Sequence, residues 1–377
     1  MVDDEPAAQS TKEVLAAGLA ALEQLLGHGW KVAQLTDERS ALPSAIFDAR
    51  VQVTPPDSSP YTELLVEVRS KPLSPREVLN RTVPMITVLR QAQSRVALLV
   101  ISPWLSPRTQ EVLRKHDIAY LDLTGNVSLA VTYPAIRIHT QGASRAPSRE
   151  TSTRSVTLAG PRAGRIVRFL ADYLPPYRAS EIVTQANVSA PWVSRLLGQL
   201  EDQLLIQREG RDIVEVRWPE LLRARADAYT LLRPGNHEQM VAPSGAKAVL
   251  DRLRNVPSLL SGSPNIAVTG SYAARTIAPH TVGGQLMLYV DHLPHVIDEW
   301  QEQLGLIRVD EHPDVLLLRA PDTAVFDRYR VVDGVTQVGY SQLVLDSLTG
   351  TGRMPAEGET ILKVLSEDES WRVRLNR

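Results

Sequence analysis

The chain has 377 residues, of which 43% are hydrophobic and 22% charged, with a formal net charge of −2. This composition is typical of a multidomain globular protein, and it excludes a collagen-like, wholly disordered or uniformly polycationic chain. Because cysteine is absent, disulfides, a zinc–thiolate site and a cysteine nucleophile are excluded too. The acidic start, MVDDEPAAQS, lacks the pattern of a secretory signal, and no apolar run is long enough for a membrane span. We therefore expect a cytoplasmic protein without membrane contact.

Residues 1–140 alternate between helix and strand patterns. Apolar residues at helical spacing predict a helix over 11–27 that ends at Gly27, and Ser-Pro pairs predict helix starts at Ser74 and Ser106. The predicted strands are WKVAQLTD, IFDARVQV, YTELLVEVRS, VALLVIS and IAYLDLTGNVSLAV. The order of helix, three strands, helix, strand, helix, strand predicts an α/β domain with the element order of a restriction-endonuclease-like core.

Two carboxylates of this domain are candidates for a nuclease metal site. Asp48 is predicted on the second strand and Glu67 on the third, followed at strand spacing by Arg69 and Lys71. Such nucleases have lysine two residues after the second acid, and arginine cannot readily lose its proton. Alternating charges on a strand are also typical of a solvated face. We therefore expect an inactive domain and no bound metal, with a metal-dependent nuclease as an alternative.

Residues 141–161 are small, polar and proline-containing, which predicts a linker. The segment is also basic, because Gly142 to Arg168 contains six arginines and one acid, Glu150. A solvated linker that runs into a helix is the alternative to a DNA-contacting segment.

The clearest pattern in the chain lies between residues 162 and 235. Three helices, RAGRIVRFLADYL, RASEIVTQA and SAPWVSRLLGQLEDQ, precede LLIQREGRDIVEVRW, which has the pattern of a hairpin around Gly210. The turn NVS separates the second helix from the third. This order predicts a winged helix-turn-helix, in which the third helix enters the DNA major groove.

Side chains at the start of the third helix, on the hairpin and near the first helix are the candidates for contact with double-stranded DNA. They are Ser189, Ala190, Trp192, Ser194, Arg195, Arg208, Arg211, Arg162, Arg165 and the linker residue Arg154. The apolar residues of the third helix, Val193, Leu196, Leu197 and Leu200, are expected to face the core. Because residues 160–230 hold ten arginines against nine acids, a module for protein association is the alternative.

Residues 236–377 predict a third, C-terminal α/β domain. Its segment NIAVTGSYAA predicts a strand followed by a turn at Gly270-Ser271, as in nucleotidyltransferases, but the next strand supplies only Asp291. A two-metal site needs more carboxylates, so a degenerate, non-catalytic version is expected. His292 and His295 are separated by Pro294, which does not favour a zinc site. We expect no catalytic residues and no cofactor.

Three segments resemble a known family. Ile118–Asn126 (IAYLDLTGN) is similar to a Tyr-hydrophobic-Asp-x-x-Gly-Asn motif of the AbiEi-family antitoxins of type IV toxin–antitoxin systems. Val268–Ala273 and Gln342–Arg353 resemble segments of their C-terminal part, with Asp346 and Arg353 at matching positions. Typical members carry the winged helix first, whereas here it is central. The resemblance implies a winged-helix DNA-binding regulator, and a toxin protein as a further partner.

The expected function is transcriptional regulation by a homodimer that reads a pseudo-palindromic operator through the winged helix. The flanking domains would serve dimerisation or the sensing of a partner or ligand. A type IV antitoxin that binds a toxin and its own promoter is the nearest alternative.

Overall fold

The computed structural model describes residues 10–35, 47–57, 60–92, 97–144, 158–255, 265–278, 284–291 and 295–375. The chain divides into two compact units, Met1–Ser155 with Gln199–Leu204, and Val156–Gly198 with Leu205–Arg377. Both units combine helices with β-sheet, so the predicted mixed α/β class is confirmed.

The first unit contains one seven-stranded sheet with helices. The strands are β1 (Lys31–Leu35), β2 (Ala49–Thr54), β3 (Thr62–Val68), β4 (Ala97–Ser102), β5 (Ala119–Asp122), β6 (Val127–Val131) and β7 (Ile136–Thr140), in that spatial order. The helices are α1 (Thr11–Leu26), α2 (Pro75–Glu77), a π-helical turn (Val78–Thr82), α3 (Val83–Ala92) and α4 (Pro107–Lys115). Strands β3, β4 and β5 are parallel, and the outer pairs are antiparallel.

Local chemistry fixes the helix ends of this unit. Ser10 and Glu13 form a capping box at α1, and Gly27 caps its end. Ser74 and Ser106 are the N-caps of α2 and α4, as the Ser-Pro pairs predicted. The sheet is covered on both faces, with one core around Val66 and Ile101 and another around Leu65 and Val100. Strand β7 was not predicted.

The second unit begins with helices around a small sheet. The helices are α5 (Gly160–Asp172), α6 (Ala179–Ala186), α7 (Ala190–Asp202) and α8 (Trp218–Ala226), of which α7 belongs to this unit up to Gly198. The strands are β8 (Tyr173–Leu174), β9 (Tyr177–Arg178), β10 (Ile206–Glu209) and β11 (Asp212–Val216). Strands β10, β11 and β9 form an antiparallel sheet in that order. We call residues 160–216 the helix–hairpin module.

The rest of the second unit is built on another seven-stranded sheet, in the order β15-β12-β16-β14-β13-β18-β17. Its strands are β12 (His237–Val241), β13 (Ile266–Thr269), β14 (Leu286–Val290), β15 (Ile307–Arg308), β16 (Val315–Arg319), β17 (Arg330–Val332) and β18 (Val335–Gln337). Its α-helices are α9 (Gly245–Arg254), α10 (Gly270–Ala274), α11 (Val296–Leu304), α12 (Tyr340–Leu348) and α13 (Met354–Glu367). Two 3-10 helices, Thr323–Phe326 and Glu369–Trp371, and the strand β19 (Val373–Arg374) complete it, and β19 pairs with β8 of the helix–hairpin module.

The prediction of a simple turn at Gly270-Ser271 is wrong, because these residues begin helix α10. Gly270 has a φ of 65°, which residues with a Cβ rarely adopt. This conformation turns the chain from β13 directly into the helix. Strands β12, β17 and β18 were also not predicted.

Candidate nucleic-acid interface

Helix α7 presents one apolar and one polar face. Val193, Leu196, Leu197 and Leu200 are buried, as their spacing predicted. The opposite face is exposed at the positions proposed for base contact, Ser189, Ala190, Ser194 and Arg195, while Trp192 is half-buried. The start of α7 is set by Asn187, which ends α6 in the left-handed conformation with a φ of 49°. The carbonyl of Ser189 then accepts the N–H groups of Trp192 and Val193 at 3.0 Å.

The inner residues of the hairpin are buried. Ile213 of β11 is fully buried and pairs with Tyr177 of β9, which is also fully buried. At the tip, Arg211 is exposed beside the turn at Gly210, whereas Arg208 on β10 is half-buried. Of the two predicted hairpin arginines, Arg211 therefore presents the more accessible cation.

A cavity of about 520 Å³ lies at the start of α5. It brings together Arg162, Arg165 and Trp192, with Asn187 and residues 159–161 in the same wall. Among the described residues, no side chain caps the first turn of α5, whose N-cap is Ala159. Free N–H groups and the positive end of the helix dipole favour an anion at this position. We call this feature the α5 cavity.

Arg165 also contacts a residue of the C-terminal part of the second unit. Its Nε donates to Asp322 Oδ2 at 3.0 Å, and its Nη1 reaches the carbonyl oxygen of Asn187 at 3.5 Å. Asp322 Oδ1 lies 3.6 Å from Arg168 Nη2, so one carboxylate faces two guanidinium groups of α5. Arg165 is thus half-buried and ion-paired, unlike Arg162, which is exposed.

The start of α5 is fixed by a buried cation. Arg225 of α8 donates to the carbonyl oxygens of Leu158 and Gly160, the latter at 3.2 Å. A Cβ at Gly164 would lie 3.2 Å from Arg225 Nη2, so glycine lets this guanidinium approach the helix. Burial lowers the pKa of Arg225 to about 10, and the charge of Arg168 acts in the same direction. Arg225 therefore remains charged at neutral pH.

The structure brings together Arg162, Arg165 and Trp192 at one cavity, and it exposes Arg195 and its neighbours on α7. The predicted linker contact Arg154 lies outside the described residues.

The two C-terminal segments singled out in the sequence meet in a buried polar network. Thr269 Oγ1 donates to Asp346 Oδ2 at 2.6 Å, and Tyr229, Tyr289 and Gln342 donate to Oδ1 at 2.8–3.0 Å. Burial raises the pKa of Asp346 to about 6, although these hydrogen bonds lower it. All four partners are donors, so the network is built to hold a carboxylate in place.

Ser271 forms a hydrogen bond with a carboxylate of helix α13. Its hydroxyl donates to Glu357 Oε2 of α13 at 2.7 Å, in the wall of a cavity of about 210 Å³. Asp291 follows the end of β14 directly, as predicted.

In the first unit, the prediction of a solvated charged face on β3 is wrong. Glu67 is only 2% exposed, because the sheet is covered on both faces. It forms an ion pair with Arg69, and Arg81 Nε lies 3.8 Å from its Oε1. Asp48 instead accepts the backbone N–H of Val68 at 2.7 Å. Strand β3 ends at Val68, so Arg69 and Lys71 do not lie on it, contrary to the prediction.

Within the described ranges, no three histidine, aspartate or glutamate residues are grouped so that they could hold a metal ion.

The segment Ile118–Asn126 forms a tightly hydrogen-bonded turn. Asp122, 2% exposed, accepts the backbone N–H groups of Leu105, Thr124 and Asn126 at 2.9–3.0 Å. It also accepts from the Thr124 hydroxyl at 2.7 Å and from Asn126 Nδ2 at 2.8 Å. The motif therefore has a structural role in joining β5 to β6.

Sequence reasoning missed Asp322, Arg168 and the network around Asp346. A signal was present for the last, because Gln342 and Asp346 interrupt the apolar face of α12 and are 1% and 0% exposed. Buried polar groups require partners, so such positions predict a network. Nothing in the local sequence around Asp322 indicated its partners on α5.

The chain matches no known protein family, no curated protein and no solved structure. Across the described part of the chain, no helix has both the length and the apolar composition required to cross a membrane.

Proposed function

We propose that the helix–hairpin module is a winged helix-turn-helix that binds double-stranded DNA, and that the protein is a homodimeric transcriptional regulator. The observation that carries the proposal is the topology of the module. Helices α5, α6 and α7 precede a hairpin whose second strand, β11, pairs with β9 to close a three-stranded sheet. In helix-turn-helix proteins the recognition helix lies in the major groove, and dimers read two half-sites.

The exposed side chains support a division of roles within this interface. Ser194 and Arg195 on α7 are suited to base edges, since arginine pairs with both acceptors of guanine. Arg162, with the start of α5, and Arg211 at the hairpin tip are suited to phosphates, which position the module without reading sequence. Half-buried Trp192 of α7 shares the wall of the α5 cavity with Arg162.

For the flanking regions we propose a restriction-endonuclease-like fold in the first unit and a degenerate nucleotidyltransferase-like fold in the C-terminal part. The order α1, antiparallel β1–β3, then parallel β4 and β5 supports the former assignment. The ion pair between Glu67 and Arg69 supports a non-catalytic role, because a permanently charged arginine already neutralises the carboxylate.

The test is fluorescence anisotropy of the full chain on its own upstream DNA and on a scrambled duplex of equal length, over a salt series. Wild type is expected to bind the upstream duplex more tightly and to retain that preference at about 150–200 mM salt. Arg195→Ala is expected to weaken specific binding by about 1–3 kcal/mol. Arg223→Ala is the matched control, because Arg223 is an exposed arginine paired with Glu359 of α13.

The possible results separate clearly. Equal binding to both duplexes, lost steeply with salt, would contradict a sequence-reading regulator. An unchanged affinity for Arg195→Ala, in a preparation where wild type binds specifically, would refute the assignment of α7 as the reading helix.

A further inference from the structure

A second cavity, of about 190 Å³, lies between the helix–hairpin module and the loop after the 3-10 helix Thr323–Phe326. Three arginines, two aspartates, two aromatic rings and a glutamine line most of it: Arg165, Arg168, Arg328, Asp172, Asp327, Phe169, Tyr173 and Gln185. We call it the arginine cavity. Because its walls carry both signs of charge and an aromatic surface, its chemistry suits a ligand with both a cation and an anion.

Arg168 supplies the strongest indication of a ligand. Arg168 is only 8% exposed, and its Nη1 donates to Gln342 Oε1 at 2.7 Å. Arg168 forms an ion pair with Asp322, which Arg165 shares. Within the part of the chain that the structure describes, the buried Nε of Arg168 has no acceptor. Buried guanidinium donors are normally satisfied, and a carboxylate is the acceptor that matches their geometry.

The cavity also offers groups for a cation. Asp172 is buried in its wall, and Asp327 lies on the loop that closes it. Burial raises the pKa of Asp172 to about 6, and the charge of Arg168 acts in the opposite direction, so the carboxylate is ionised at neutral pH. The rings of Phe169 and Tyr173 are stacked with centroids 4.6 Å apart, and a ring face also attracts an ammonium group.

Size narrows the class of ligand. The cavity is smaller than the roughly 300–1,000 Å³ of pockets that hold drug-sized molecules, so a nucleotide is too large. We propose that the arginine cavity binds a small zwitterion of the α-amino acid class, with its carboxylate on Arg168 and Arg328 and its ammonium on Asp172 and Asp327. We further propose that this ligand weakens DNA binding, and this second part rests on the proposed function.

Arg165 provides the connection between the two sites, because it lines both the arginine cavity and the α5 cavity. In the structure, Asp322 pairs with Arg165 through Oδ2 and with Arg168 through Oδ1. When the arginine cavity is empty, Arg165 contacts a DNA phosphate beside Arg162. A ligand carboxylate on Arg168 frees Asp322 to pair with Arg165 alone and so draws Arg165 away from that phosphate. Couplings between two sites are typically about 5- to 150-fold, and they are reciprocal, so DNA is expected to weaken ligand binding by the same factor.

The first experiment is calorimetric titration of the full chain with L-alanine, L-valine and L-glutamate, with acetate and methylammonium as single-charge controls. At least one amino acid is expected to bind more tightly than either control. Arg328→Ala is expected to weaken that binding about 10- to 100-fold, as for the loss of a charge-assisted hydrogen bond. Arg328 is exposed, so the variant is expected to fold, and Arg374→Ala is the matched exposed control.

Three results would overturn the site: no amino acid binds, acetate binds equally well, or Arg328→Ala binds as tightly as wild type. The second experiment repeats the anisotropy measurement with the bound amino acid present. Unchanged DNA affinity would refute the coupling while the calorimetric site stands. A protein that binds no DNA would refute the proposed function, and the calorimetry would still decide the cavity.

Discussion

Replacement of Asp122 by alanine tests whether the segment Ile118–Asn126 is structural. The carboxylate accepts five hydrogen bonds, and the variant leaves the buried backbone N–H groups of Leu105 and Asn126 without an acceptor. The Asn126 side-chain amide keeps Thr124 Oγ1 and the carbonyl oxygen of Ala143 as acceptors. Each buried donor left unsatisfied costs about 1–3 kcal/mol. With two such donors we expect the first unit to lose at least about 2 kcal/mol, a large fraction of the roughly 5–15 kcal/mol typical of a native protein.

The assay is urea unfolding followed by far-UV circular dichroism, in which the transition of the first unit is expected to move to lower urea. Glu111→Ala is the control, because its ion pair with Arg108 is on the surface and is worth at most about 0.5 kcal/mol. A loss below about 1 kcal/mol for Asp122→Ala would refute the structural role. Impaired DNA binding by a fully stable variant would instead point to a functional one.

Three further predictions concern stability and activity. Burial raises the pKa of Asp172 from 3.8 to about 6, so between these pH values the folded protein keeps a proton that the unfolded chain releases. The stability that this proton gives is fully present below pH 3.8 and is lost as the pH rises through 6. The free energy of unfolding of Asp172→Asn, relative to that of wild type, should therefore rise by up to about 3 kcal/mol between pH 4 and 7 in denaturant titrations. A difference between the two proteins that is independent of pH would contradict this. Purified protein with magnesium or manganese should not cleave DNA, and cleavage abolished by Glu67→Ala would show the opposite. Arg372→Ala should lower the unfolding free energy of the second unit by about 3 kcal/mol in urea titrations, because three carbonyl oxygens at the end of α5 lose their donor; an effect no larger than that of Arg374→Ala would contradict it.

Features set by nearby residues could be predicted from the sequence. Ser74 and Ser106 cap their helices through backbone groups three residues away, so the Ser-Pro pairs were sufficient to predict both starts. The buried face of α7 followed from helical spacing alone. The order of helices and hairpin in the module also depends on local patterns.

Features set by distant residues could not be predicted. Arg165 and Asp322 are separated by 157 positions, and strand alternation places Glu67 on a face without revealing that this face is covered. Arg165 therefore looked like a free phosphate contact in the sequence, and Glu67 looked solvated. The pairing of β19 with β8 is similarly non-local.

Residues that follow the helix–hairpin module in the chain hold α5 along its whole length. Arg225 binds carbonyl oxygens at its start, Asp322 pairs with its middle, and Arg372 donates to carbonyl oxygens at its end. In the proposed regulator α5 contacts phosphates, whereas α7 reads bases, so a change transmitted through α5 alters affinity without altering sequence preference. An amino-acid ligand should then weaken binding to the upstream and scrambled duplexes by the same factor. A ligand that changes the ratio of the two affinities would show that the signal reaches α7 itself.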